Sequence, residues 1–194
     1  MSAAIASEPK PIKKTPRILT LAQFHRLYDN REDDYKYEWH NGIVEKSPRT
    51  MNRSQLFIVQ NLSRFFMLTQ AFNKFGELER EVKMFLPKAN RSRIADLAYL
   101  TADQVKEQDD ITPGISPFVI EVISKNDTAD EIKEKLEEYF ADGVQVVWHI
   151  YPKREVVEVY TSPEIVKICK GNAICSAAPV LLDFEVPAQA IFGK

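Results

Sequence analysis

Cysteine is scarce in this chain: Cys169 and Cys175 are the two in 194 residues, too few for a disulfide framework and consistent with a reducing, cytoplasmic setting. Long hydrophobic runs are missing as well. No stretch approaches the ~20 apolar residues needed to cross a bilayer, and MSAAIASEPKPIKKTPR at the amino terminus has no apolar segment of signal-peptide length. Neither sign of charge dominates, since 26 Lys and Arg face 28 Asp and Glu, which argues against a surface coated for non-specific nucleic-acid binding. With 44% hydrophobic and 28% charged residues, the composition is that of an ordinary globular protein. A secreted, fibrous or membrane protein is not expected, and the length favours one domain.

The charges are unevenly placed. Residues 80–93 carry Arg80, Lys83, Lys88, Arg91 and Arg93 against Glu81, whereas residues 101–142 carry twelve acids against four bases. Residues 1–17 mix small, charged and proline residues and read as a mobile tail, leaving 18–194 as a single domain. Leu21, Phe24, Leu27 and Tyr28 stand at helical spacing behind Thr20, a good N-cap. YKYEWH and IVEKS flank Asn41-Gly42, the strongest short hairpin signal. Asn52 to about Phe72 reads as one long amphipathic helix. Strand-like runs follow at Glu77–Leu86 and Ile94–Leu100, separated by the polar segment PKANRSR. PFVIEVIS, 117–124, reads as a buried central strand. Thr128 and Glu131 form a capping box for a helix whose C′ residue is Gly143. Val144–Tyr151 and Glu155–Tyr160 read as a hairpin, and Gly171-Asn172 as a further turn. Helix, hairpin, helix, strands, helix, strands implies an α/β, mixed α+β fold: a mixed sheet flanked by helices.

Two carboxylates stand where charge is costly. Asp96 in IADLAYL and Glu121 in FVIEVI are each the sole charge in a strand that otherwise wants burial, at several kcal/mol apiece unless compensated. By strand parity Asp96 shares a face with Ile94 and Ala98, and Glu121 with Val119 and Ile123. A hard divalent cation would meet both demands; ordinary ion pairs, or strand ends that reach solvent, would also meet them. In the first hairpin a two-residue turn sets Glu38 opposite Glu45, a like-charge pair that is destabilising unless a solvated surface screens it or a metal or lysine stands close to Glu38. The helix after Glu121 offers Lys133 and Lys135 at similar offsets from its apolar stripe, and Lys125 precedes it; spacing does not choose among the three. Trp148, behind Val146 and Val147, reads as core, and Cys169 and Cys175 as structural.

This order of residues, an early Glu, a strand Asp, a strand Glu and a nearby Lys, resembles the PD-(D/E)xK, restriction-endonuclease-like superfamily. Within it the chain is most similar to the Uma-two family of endonuclease-like bacterial proteins, long catalogued as a domain of unknown function. The resemblance runs through YEWHNGIVEKSP (37–48), IADLAYL (94–100), PFVIEVISKND (117–127), KLEEYFADGVQVVWHIYP (135–152) and LLDFEVPAQAIF (181–192). It implies a restriction-endonuclease-like core, Mg²⁺ or Mn²⁺ as cofactor, and hydrolysis of DNA phosphodiester bonds. Residue by residue it implies Asp96 and Glu121 as metal ligands, Glu38 as accessory acid and Lys135 as the catalytic lysine, with Tyr139 walling the cleft. Three departures stand out: Ile123 where the superfamily lysine usually falls, Ala95 in place of a proline, and Arg53-Ser54-Gln55 where a histidine is common. Lys83, Lys88, Arg91 and Arg93 are expected along the DNA backbone. A homodimer is suggested by analogy with such folds alone. The alternative is a catalytically inactive nuclease-fold protein that binds nucleic acid or assembles with partners. A serine or cysteine hydrolase is disfavoured, because no Gly-x-Ser-x-Gly occurs.

Overall fold

The structure, a computed structural model, describes residues 18–49, 53–106 and 114–193. The expected tail lies outside the described residues. Local signals open the chain: Thr20 caps α1 (Leu21–Tyr28) through a capping box with Gln23, and Asn41-Gly42 closes the hairpin of β1 (Tyr35–His40) and β2 (Ile43–Pro48), both turn residues at positive φ. Its register sets Glu38 opposite Glu45 and Trp39 opposite Val44.

The expected long helix is divided. α2 (Arg53–Phe66) stops, and α3 (Gln70–Asn73) restarts behind Thr69. The Thr69 hydroxyl donates to the Phe66 carbonyl at 2.7 Å and accepts from the Phe72 N–H at 3.2 Å. A side chain that serves both helix ends competes with the backbone ladder, which accounts for the break.

β3 (Glu77–Leu86) pairs along its length with β4 (Arg91–Leu100), which begins three residues earlier than its apolar run. Arg91 to Arg93, read from the sequence as loop, are strand and buried. α4 (Ala102–Lys106) is followed by β5 (Phe118–Val122), buried throughout. α5 (Ala129–Asp142) starts at the Thr128–Glu131 capping box and ends at Gly143, whose φ of 108° needs a residue without a Cβ. β6 (Val146–Tyr151), β7 (Val156–Tyr160), β8 (Val166–Cys169), β9 (Ile174–Ala177), β10 (Leu181–Pro187) and α6 (Ala188–Phe192) complete the order.

The main sheet has eight strands in the order β2-β1-β4-β5-β6-β7-β8, with β3 paired to β4. β5 and β6 run parallel, joined by α5; the other pairs are antiparallel. One face packs α2, α6, β9 and β10 around Trp148, Phe118 and Phe184. The other packs Leu136 and Tyr139 of α5 against Ala98, Val119 and Val147. Trp148 is fully buried in the aromatic stack with Phe184, centroids 5.5 Å apart, and Cys169 and Cys175 are buried free thiols.

Candidate active site

The site lies where β4 changes neighbours. One edge of β4 is covered by β3. The other is shared, with β1 pairing at Arg91 and Ser92 and β5 at Leu97 to Tyr99. Between these two stretches the ladder is open, and side chains take up the backbone groups that would otherwise go unpaired. The Ile94 N–H donates to Glu38 Oε1 at 2.8 Å. The Val122 N–H of β5 donates to Asp96 Oδ2 at 2.9 Å.

The alternation of β4 also reverses here. Ala95 and Ala98 both pack on the α5 side while Leu97 packs on the other. Glu81, beside this point on β3, has φ of 52°, a left-handed conformation uncommon for a residue with a Cβ. Strict parity along Ile94, Asp96 and Ala98 therefore does not hold; the irregularity turns Asp96 toward the gap.

Glu121 stands one step beyond the Leu97–Ile120 pair, so the two strands bring Asp96 and Glu121 side by side. α5 supplies what covers them. Its positions 134/138 and 135/139 form two adjacent ridges, because residues four apart share a helix face. Lys135 Nζ is 3.1 Å from Glu121 Oε1 and 3.8 Å from Glu38 Oε1, and it reaches the Ile94 carbonyl at 3.5 Å. The Tyr139 hydroxyl donates to Glu121 Oε1 at 2.7 Å. Lys133, by contrast, is 75% exposed and pairs with Glu137, and Lys125 is exposed on the loop before α5. Glu38, Asp96, Glu121 and Lys135 thus converge, with Tyr139 as a wall. Glu38 is 18% exposed against 48% for Glu45, and Arg93 provides the positive charge that the opposed glutamates require.

The second ridge meets a buried arginine pair. Arg93 lies 3.0 Å from Glu38 and 2.8 Å from Glu138, and Arg91 lies 3.1 Å from Glu134 and 3.2 Å from Glu138. These contacts bear on the expected basic rim. Arg91 and Arg93 are 6% and 8% exposed and committed to internal carboxylates; Lys83 bonds Asp29, and Lys88 bonds the Ala141 carbonyl. Arg91, Arg93 and Lys83 are each committed to a carboxylate, whereas exposed Lys88 meets a neutral carbonyl that leaves its charge uncompensated. Sequence reasoning also passed over Lys36, whose Nζ lies 2.7 Å from Asp96 Oδ1. Its signal was present: Lys36 and Glu38 are two apart in β1 and share the face away from Tyr37 and Trp39.

Burial pushes the Glu121 carboxyl up to about 7, with Asp96 adding to the effect and Lys135 and Tyr139 opposing it. Burial would lower the Lys135 ammonium, but Glu121, Glu38 and Asp96 outweigh it and hold the group firmly charged. The Lys36 ammonium is raised in the same way, burial being overcome by Asp96, Glu121 and Glu81. Glu38 moves down: burial would raise it, but Lys135, Arg93 and the Ile94 N–H prevail. A depressed folded pKa means that Glu38 stabilises the fold fully above its ordinary value of 4.5, and that this contribution fades as pH falls through the lower folded value. The difference in urea-unfolding free energy between wild type and Glu38→Gln is therefore expected to narrow from about pH 6 to about pH 3. A difference that stays constant would show that folding does not favour the charged form of Glu38.

Among the described residues no group of three or more His, Cys, Asp or Glu side chains is arranged to hold a metal ion. Two adjacent carboxylates nonetheless fit Mg²⁺ or Mn²⁺ in donor chemistry, because Mg²⁺ commonly takes one or two protein carboxylates and fills its shell with water and phosphate oxygens. The Lys36 ammonium on Asp96 marks a place where positive charge is stabilised. Asp96 and Glu121 are the residues that would hold such an ion.

No helix among the described residues is long and apolar enough to cross a membrane. No curated protein matches the chain. A solved structure described as a putative nuclease belonging to DUF820, from Anabaena variabilis ATCC 29413, matches with a TM-score of 0.73 at 15% identity, over 90% of this chain and 97% of that one; at that identity the likeness establishes the fold. The model of the Uma2 family, described as "Putative restriction endonuclease", matches residues 21–189. Glu38, Asp96, Glu121 and Lys135 all fall inside that span, and the chain belongs to the Uma2 family, with a nuclease-type fold.

Proposed function

We propose that the protein is a metal-dependent endonuclease that hydrolyses phosphodiester bonds of DNA, with Asp96 and Glu121 as ligands of Mg²⁺ or Mn²⁺, Lys135 as the catalytic lysine and Glu38 as accessory acid. The observation that carries this reading is the Lys135–Glu121 contact of 3.1 Å at the open edge of β4, with Glu38 and Asp96 alongside. A bound divalent cation would polarise the scissile phosphate and lower the pKa of an attacking water. Lys135, held charged by three acids, is placed to orient that water or to offset negative charge growing on the phosphate in the transition state. Tyr139 fixes the Glu121 carboxylate, and the Ile94 N–H with Arg93 fixes Glu38. No serine or cysteine nucleophile is called on.

The test is nicking of supercoiled plasmid by the purified chain, with Mg²⁺ or Mn²⁺ and then with chelator. We expect cleavage that needs the ion and disappears in Asp96→Asn. Cleavage that survives either treatment would refute the assignment. The balance of Asp96 by Lys36 favours a second reading, a binding module whose acids form structural ion pairs. It is selected if the protein binds DNA but does not cut it with either ion.

A further inference from the structure

We propose that Lys36 is a built-in competitor for the metal position: it neutralises Asp96 while no divalent cation is bound, and transfers to Glu81 when one binds. The inference rests on the metal-dependent reading above and assigns a role to a residue that reading leaves unused.

Asp96 has no oxygen without a donor. Oδ2 accepts from the Val122 N–H at 2.9 Å, and Oδ1 is 2.7 Å from the Lys36 ammonium. A hard cation requires an anionic oxygen at close range, and an ammonium bonded to that same oxygen repels it across a few ångströms of a partly buried cleft. Lys36 and the cation therefore exclude one another at Oδ1. Lys135 stands differently, since it contacts Glu121 and Glu38 rather than an Asp96 oxygen.

Lys36 also has somewhere to go. Its Nζ is already 3.7 Å from Glu81 Oε1. Glu81 lies across the β3–β4 ladder from Asp96, between the Arg80–Leu97 and Val82–Ala95 pairs. Its other oxygen, Oε2, is 3.6 Å from Arg49 Nε, so Oε1 faces Lys36. A rotamer change in a four-carbon stem suffices to move the ammonium from one carboxylate to the other, without moving β1. With Lys36 on Asp96 the cleft is balanced by its own cations, and the fold does not depend on metal. The consequence for function is a modest intrinsic cation affinity, set by the cost of displacing Lys36.

The test is isothermal titration of Mn²⁺ into wild type, Lys36→Met, Asp96→Asn and the Lys36→Met/Asp96→Asn pair. Methionine keeps the aliphatic stem, and Lys36→Gln replaces it should Lys36→Met fail to fold. Lys36→Met is expected to bind Mn²⁺ about 10-fold tighter than wild type, the effect of removing one adjacent positive charge. Both proteins carrying Asp96→Asn should lose the site. Glu81→Gln should weaken Mn²⁺ binding in the wild-type background and have a much smaller effect beside Lys36→Met. If Lys36→Met binds Mn²⁺ no better than wild type, the competition is refuted while the metal reading stands. Binding that survives Asp96→Asn refutes the competition too, by placing the ion elsewhere. If neither wild type nor Lys36→Met takes up Mn²⁺, the metal reading fails and this inference with it.

Discussion

Lys135→Met is expected to slow DNA cleavage by about 10²–10³-fold, the usual loss when one preorganised charge-stabilising group is removed from an active site. Among Lys125, Lys133 and Lys135, Lys135 is the one whose amine enters the cleft, 3.1 Å from Glu121, while Lys133 lies on the solvent side of the same helix. The fold should survive the change. Glu121 is already pushed up to about 7, so without Lys135 it takes up a proton and keeps its bond to Tyr139. Lys133→Met, on an exposed pair of little energetic weight, is the control and should cleave at the wild-type rate. The measurements are single-turnover cleavage with saturating Mg²⁺ and thermal melts of each variant. Equal rates for Lys135→Met and wild type would remove Lys135 from the chemistry. Equal losses in both lysine variants would point instead to a general charge effect on DNA binding.

What the sequence made legible was local. The Asn41-Gly42 hairpin, its Glu38–Glu45 pairing, the Thr20 N-cap, the Thr128–Glu131 capping box and the Gly143 stop each depend on residues within seven positions of one another. The Asp96 and Glu121 signals were legible for a different reason: a lone acid in an apolar strand demands a partner whatever the fold turns out to be. Local spacing could not supply the partner. Lys133 and Lys135 flank the stripe of α5 equally, and the choice of Lys135 came from the family resemblance; in the structure, the packing of Tyr139 and Leu136 against the sheet turns Lys135 inward. Arg91 and Arg93 were misread because strand propensity treats arginine as surface. Their burial depends on Glu134 and Glu138, more than forty residues later, and only the sheet–helix packing unites them. Lys36 escaped notice because its partner Asp96 lies sixty residues away. The reversal of alternation at Glu81 and Asp96 has no sequence signature that we recognise.

The arginine cluster leads to the second large effect, on stability. Arg93→Met should destabilise the protein by about 3 kcal/mol, toward the lower end of the cost of breaking a buried ion pair by removing one partner. Arg93 is 8% exposed and binds Glu38 and Glu138 at 3.0 and 2.8 Å. Methionine fills much of its volume, so the loss is chiefly that of two desolvated carboxylates deprived of a shared cation. The loss is limited because each carboxylate keeps other support. Glu138 retains Arg91 at 3.2 Å, and Glu38 retains the Ile94 N–H and Lys135. Adding Glu38→Gln to Arg93→Met should cost less than Glu38→Gln costs alone, since the charge that needed Arg93 is gone. Urea unfolding of the four proteins in the cycle provides the coupling energy. A value near zero would mean that Arg93 staples α5 to β4 through Glu138 alone, and that Lys135 and the Ile94 N–H suffice to hold Glu38 at the edge of the cleft.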